Sequence, residues 1–348
     1  VLRSTELSPP LTLYAQDKVK VSAQVLSPKG FQNFKTFSLS RYLKTKNIHN
    51  RAFSKSSLLV EKLESGKKFS PLHLISVVRN ELQKKIEEHF PSSPSSISPQ
   101  GAVLEALLLG ERERMDVSVT QSLQKSGLYH LIAISGAHIA IISFLIFSLL
   151  KLMRIPTRIS YLLMIIFLLF YSLLVEGSPS VTRATVMALA FLFGKLIWKK
   201  VNLLNTLSIA AFFLLVHNPF SLFDLGFQLT FAATLSIILF HPRIIKYLPR
   251  LPLRISEILA MSVAAQLGVL PLLASAFNRV SFSPLILNLA AIPLAGLIMA
   301  LGYIFLPLAF ASSFLARLLA PCIKFCIDLL IKTSHLFDPV PFISYRIP

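Results

Sequence analysis

The chemistry this chain can offer lies in polar residues set into otherwise apolar runs: Ser135, Gly136, His138, Arg183, Asp224, Gln228, Gln266 and Asn288. Their types suit holding or passing a polar or charged cargo, because each is costly in hydrocarbon unless it faces a bundle interior, a partner or water. For any one of them a helix-to-helix hydrogen bond or a headgroup contact is an equal account. Their spread over most of the apolar runs favours a polar pathway. Ser135-Gly136 is a small, flexible pair able to break a helix and expose backbone dipoles to a passing charge. Arg183 stands one turn beyond the tight turn Glu176-Gly177-Ser178-Pro179-Ser180, at the positive end of a helix, where the macrodipole does not stabilise a cation. That position calls for an anionic partner, either Glu176 or a transported phosphate. Asn218-Pro219-Phe220 with Asp224-Leu225-Gly226-Phe227-Gln228 marks a second break. His138 is a candidate proton carrier, but no carboxylate lies near it in sequence.

Bond-breaking constellations are missing from the sequence. It has no Gly-rich phosphate loop with Lys and Ser/Thr, and so no ATP motor, and no His-x-His-x-Asp-His cluster of a two-metal hydrolase. Glu111, Glu113 and Asp116 alternate with Arg112 and Arg114 and read as a charged loop. Cys322 and Cys326, at i and i+4 of one helix, read as packing residues. No metal, no cofactor and no enzymatic activity are expected.

The elements that must position these residues follow from composition. With 54% hydrophobic and 15% charged residues over 348 positions, the chain reads as an integral membrane protein. Apolar runs at 131–150, 157–175, 180–198, 203–217, 225–241, 256–276 and 282–302 predict spans. The run to Phe310 either extends the last of these or starts another. Leu315 to Leu330, with Arg317, Lys324 and Asp328, reads as a final span or an interfacial helix. Pro271, Pro284 and Pro293 are expected to interrupt the later spans. The fold class is mainly α: a polytopic bundle of about 7–8 transmembrane helices preceded by a small β domain. Basic residues cluster in alternate loops: Lys151, Arg154 and Arg158, then Lys195, Lys199 and Lys200, then Arg243, Lys246, Arg250 and Arg254. The positive-inside rule makes these cytoplasmic and the N-terminal domain extracytoplasmic. An export signal or further spans are therefore expected upstream of Val1.

That N-terminal domain carries its own signals. Val19, Val21, Ala23 and Val25 alternate with polar residues, the period of a half-buried strand, and Ser56 to Val60 is a second strand candidate. Phe37 to Lys44 reads as a short helix. Arg41, Lys44, Lys46 and Arg51 interleave with Tyr42 and Phe53, which suits phosphates meeting cations while bases stack on rings. A solvated basic face is the plainer account. The net charge of +19 favours polyanions, whether anionic lipid or nucleic acid. Pro71 to Phe90 predicts an amphipathic helix, Pro91 to Pro94 a linker, and Gln100 to Gly110 a second helix closing on its glycine, followed by a polar stretch to Ser126. The expected segments are 1–70, 71–126, 127–337 and a tail at 338–348.

Two runs, Ala106-Leu107-Leu108-Leu109-Gly110-Glu111-Arg112 and Ser126-Gly127-Leu128-Tyr129-His130-Leu131-Ile132-Ala133-Ile134-Ser135-Gly136-Ala137-His138, resemble the hallmark of the ComEC competence-protein family of DNA-uptake membrane channels. Further matches follow in order: Gly177 to Ala184, Asn218-Pro219-Phe220, Asp224 to Leu229, Gln266 to Pro271, and Asn288 to Pro293. The resemblance covers roughly residues 11 to 310. It implies an OB-like extracytoplasmic domain over about 11–65 and a transmembrane competence domain in a bacterial inner membrane. Single-stranded DNA would be the cargo and membrane lipid the surroundings. A competence DNA receptor, a cytoplasmic translocase, a separate nuclease and further copies of the chain would be the partners. Ala137 departs from the larger residue usual between the Gly and the His. The extra early spans and the metallo-β-lactamase-like domain common in the family have no match here, so strand degradation is expected to fall elsewhere. A small-molecule or ion transporter, and a membrane remnant that does not transport, are the alternatives.

Overall fold

Period-2 alternation gives short strands here, and apolar runs give helices. The computed structural model describes residues 17–26, 50–53, 59–64, 70–93, 96–197, 200–249, 255–277, 279–281, 283–335 and 344–346. The chain divides into two units, Val1–Glu81 and Leu82–Pro348, with the boundary inside a helix.

In the first unit the predicted strand is two: β1 (Lys18–Val21) and β2 (Gln24–Leu26), separated at Ser22-Ala23. β1 pairs antiparallel with β4 (Val60–Glu64), and β2 with β3 (Arg51–Phe53). The half-burial expected from the alternation is not found. All four residues of β1 are exposed, and in β4 Val60 is buried at 4% exposure, while each described ladder has two strands. Lys62 pairs with Asp17 at 2.7 Å across the first ladder. Arg41, Tyr42, Lys44 and Lys46, and the short helix expected at 37–44, lie outside the described residues. Arg51 opens β3.

Helix α1 (Pro71–His89) matches the amphipathic run and crosses the boundary between units. The expected linker instead holds a two-stranded ladder of β5 (Pro91–Ser93) and β6 (Ser96–Ile97). Helix α2 (Pro99–Leu109) has the start and stop its sequence announces. Ser98 Oγ accepts from the Gly101 N–H at 3.2 Å, and Gly110 closes it at φ 79°, where a side chain would be strained. It is not amphipathic, since every residue from Gly101 to Leu109 is buried. The polar stretch after it holds an unforeseen helix, α3 (Val117–Lys125), capped by Asp116 accepting from the Ser118 N–H at 3.1 Å.

A single turn, α4 (Tyr129–Ile132), precedes α5 (Gly136–Leu152), so the chain does break at Ser135, whose backbone is extended. Then follow α6 (Thr157–Leu174), α7 (Pro179–Ile197), α8 (Leu203–His217), a 3₁₀ turn at Pro219–Phe223, α9 (Leu225–Ile244), α10 (Ile255–Phe277), α11 (Ser283–Ala311) and α12 (Ser313–His335). Among the described residues α6, α7, α9, α10 and α11 are long and apolar enough to cross a membrane, while α5 and α8 are shorter apolar helices. Pro271 and Pro293 do not interrupt their helices. Both lie inside them, as membrane helices allow when neighbours satisfy the freed carbonyls. The apolar run to Phe310 continues α11 without a break.

The helices are joined by side chains that find partners inside the protein. Tyr171 donates to the Leu108 carbonyl at 3.0 Å and shares a 2.8 Å bond with Tyr303, joining α6, α2 and α11. Gln100 donates to Asp328 at 2.7 Å and Ser122 meets Ser334 at 3.0 Å, tying α2 and α3 to α12. Asn288, near the start of α11, donates to Ser262 in the first half of α10 at 3.4 Å, whereas an antiparallel hairpin would set it against the end of α10.

Two glycines allow close approach of different kinds. A Cβ on Gly268 would sit 2.7 Å from the Ala232 carbonyl oxygen of α9, a backbone atom, while one on Gly302 would meet the end of Leu108 at 2.8 Å. Gly268→Ala is expected to destabilise by about 1–3 kcal/mol through overpacking, and Gly302→Ala by less, because side-chain ends of Leu108 and Leu104 yield more readily than a backbone carbonyl. Thermal melting of the detergent-solubilised chain measures both.

Candidate functional site

The strongest polar constellation among the membrane helices is built on α7 and the start of α9. Pro179 sets the first turn of α7, and Arg183, one turn on, is buried at 8% exposure. Its Nε–H donates to Thr230 Oγ1 at 3.1 Å, and its Nη1 faces Asp224 Oδ2 at 3.5 Å. Asp224 is the N-cap of α9, and the same Oδ2 accepts from the Phe227 N–H at 3.3 Å. Thr230 in turn donates to the Gly226 carbonyl at 2.8 Å. Gly226 leaves the room for this: a Cβ there would lie 3.2 Å from Asp224 Oδ2 and 3.3 Å from the Arg183 guanidinium. The carboxylate facing Arg183 is thus Asp224, in place of the Glu176 expected from proximity in sequence. Thr230 was not foreseen, although a threonine one turn inside an apolar run, behind a glycine, was the available signal.

The other candidates fall into separate groups. Gln228 Nε2 donates to the Leu222 carbonyl at 2.9 Å and staples the 3₁₀ turn beside Asp224. Ser135 and His138 form the cap of α5: the Ser135 N–H donates to His138 Nδ1 at 3.2 Å, and Ser135 Oγ lies 3.3 Å from the same nitrogen. A backbone N–H can only donate, so Nδ1 is an acceptor and Nε2 carries the ring proton. His138 is 1% exposed, and Nε2 is buried with no partner among the described residues. Asn288 pairs with Ser262, and its Oδ1 is buried and unpartnered among the described residues. Gln266 is half-buried on α10. The structure brings Arg183 to Asp224 and Thr230, holds Gln228 on the Leu222 carbonyl in the first turn of the same helix, and pairs Ser135 with His138 and Ser262 with Asn288.

Between α5, α6, α7, α8 and α9 lies a cavity of about 470 Å³, lined by Gly136, Ala140, Ala184, Ala188, Phe191 and Leu207 among others. Gly136 reaches it, and no charged side chain lines it. Among the described residues no group of three or more His, Cys, Asp or Glu has the arrangement of a metal site.

Where the first apolar hallmark ends, one arginine serves two carboxylates. Arg114 Nη1 lies 3.3 Å and 3.4 Å from the two oxygens of Glu105 on α2 and also contacts Glu87 of α1. Arg112 stands over the Tyr129 ring at 5.8 Å, and a Cβ on Gly110 would come within 3.2 Å of Ile134, so the two hallmark runs are packed together. Glu105 is fully buried, and burial pushes its carboxyl from the ordinary 4.5 up to about 7, outweighing Arg114, while Glu87 and Glu111 push the same way. A folded-state value above the unfolded one means that the fold prefers the protonated acid. The associated stability is full below about pH 4.5 and is lost as pH rises through about 7. Melting temperature is therefore expected to fall between about pH 5 and pH 7, and Glu105→Gln to flatten that part of the profile. A Glu105→Gln chain with an unchanged pH slope would contradict this.

The sequence model of a family described as "Competence protein" matches residues 107–348. ComE operon protein 3 of Bacillus subtilis (strain 168) is 30% identical over 210 residues, covering 60% of this chain and 26% of that protein. The chain thus spans about a quarter of the length of that relative. No solved structure matches.

Proposed function

The chain belongs to the competence-protein family, and from that premise we propose that it is a channel component through which one strand of DNA is taken up during natural transformation. The membrane setting follows from five helices long and apolar enough to cross it, together with the family. In this reading the membrane is the bacterial inner membrane. The loops carrying Lys151, Arg154 and Arg158 and their successors face the cytoplasm, and the N-terminal domain lies outside. That domain, OB-like, captures the strand through Arg41, Tyr42, Lys44, Lys46 and Arg51. The strand passes Ser135, Gly136 and His138 at the entrance, then Arg183, Asp224 and Gln228, with Gln266 and Asn288 further along. A DNA receptor, a cytoplasmic translocase and a separate nuclease complete the machinery.

One observation carries the proposal: a buried guanidinium among membrane helices that faces the Asp224 carboxylate at 3.5 Å and donates to the Thr230 hydroxyl at 3.1 Å. Strong charge-assisted bonds are nearer 2.7–2.9 Å, so an arriving phosphate has an interaction to gain by replacing Asp224. Ionised side chains facing a bundle interior mark ion and substrate paths. Arg183→Glu sets like charges face to face and is expected to lower transformation at least a hundredfold while the chain still inserts in the membrane. Full transformation with Arg183→Glu would remove this residue from the path. Binding of a single-stranded oligonucleotide to the full chain should weaken steeply with salt, since each phosphate contact releases counterions. A salt-independent affinity would defeat strand capture.

A second reading has its own observation. The compact, uncharged cavity suits a small cargo better than a polyanion. A deletion strain that transforms normally but fails to accumulate a small solute would favour it.

A further inference from the structure

We propose that the cavity between α5, α6, α7, α8 and α9 is a hydrocarbon site that holds one acyl chain of a bilayer lipid rather than the strand itself. Its volume is about 470 Å³. Taking about 30 Å³, the share of one water molecule in the liquid, as the room of a methylene-sized group, it holds about sixteen such groups, which is the size of a fatty acyl chain. Glycine and alanine make the space. Gly136 and Ala140 on one side and Ala184 and Ala188 on the other leave open what larger side chains would fill.

The chemistry of the lining selects the occupant. No charged side chain reaches the cavity, so a phosphate inside it would be stripped of water and left unpaired. Two of its hydroxyls are already spent on their own helices: Thr206 donates to the Asn202 carbonyl at 3.0 Å and Thr234 to the Thr230 carbonyl at 2.8 Å. Water held in a cavity needs two to four polar partners, which this lining does not supply. Left unfilled, a recess of this size would leave its apolar lining without contacts on one side. The cavity also has a way in, because Gly136 and Ala140 are exposed and Leu203, at its α8 edge, is 53% exposed. In a bilayer the material at such an opening is hydrocarbon. The chain thereby acts as a wedge that sets the spacing of α5 and α7.

The test uses the full chain reconstituted in vesicles of phosphatidylcholine bearing a photoactivatable diazirine in its acyl chain. Irradiation is expected to label residues 184–192 and 136–143. Ala188→Phe and Ala140→Phe should each cut that labelling at least tenfold, with labelling at the outward-facing Phe212-Phe213 unchanged. Labelling that ignores both substitutions, or labelling at Phe212-Phe213 alone, overturns the proposal. So does crosslinking of a diazirine-bearing oligonucleotide to residues 184–192. The milder Ala188→Leu guards against misfolding. An empty cavity predicts that it raises the melting temperature equally with and without lipid, whereas an occupied one predicts a rise only after delipidation. Loss of transformation in Arg183→Glu with cavity labelling intact would leave both readings standing, each on its own result.

Discussion

A side chain that can form hydrogen bonds, once placed among apolar helices, must find its partner within the protein, because no water is at hand to replace it. Much of the architecture follows from how this chain meets that demand. Arg183 cannot sit on α7 unless α9 starts where Asp224 and Thr230 reach it, so one ion pair sets the relation of two helices. Removing one partner of such a pair leaves a buried charge and typically costs 3–5 kcal/mol. Weaker pairings act likewise. The phenol of Tyr171 fixes the end of α2 to α6 and α11, and Gln100 with Asp328 draws α12 onto the same helix. Helix α2 is too short to span a bilayer, yet it is buried on all sides and serves as the piece to which others attach.

What could be read from sequence was local. Ser98, Pro99 and Gly110 announce both ends of α2 because capping is a matter of a few neighbouring atoms, and the apolar runs of α6, α7, α9 and α10 are legible by length alone. The break at Ser135-Gly136 was legible for the same reason. Helix α3 was missed: it is short and polar, and Asp116, its cap, stands in a run of alternating charges that resembles a loop. The alternation in β1 reports a tendency to half-burial, whereas burial is decided by what packs on the strand, and all four of its residues are exposed. The partner of Arg183 was out of reach. Glu176 is near in the chain, but Asp224 is near in space, and only the packing of α7 on α9 distinguishes them.

The site candidates divide by what the fold asks of them. Ser135 with His138, and Gln228 with Leu222, satisfy backbone groups at helix starts, which explains polar residues at those positions without a cargo. Arg183 and Asp224 are different, since no backbone requirement calls for a guanidinium there. The cavity next to them is different again, for it is made by small residues and has no charge at all. Polar and apolar provisions thus sit side by side in one bundle, and Ala184, adjacent to Arg183, belongs to the second.

Asp224 performs two tasks with one oxygen, capping α9 through the Phe227 N–H and facing the guanidinium of Arg183. Each task alone tolerates replacements: Asn and Ser cap as well, and Glu carries the same charge. Only Asp does both at that length of side chain. The position is therefore nearly closed to stepwise drift, and a lineage that loses Arg183 gains freedom at 224 only among capping residues. Relatives should vary there as a pair or not at all.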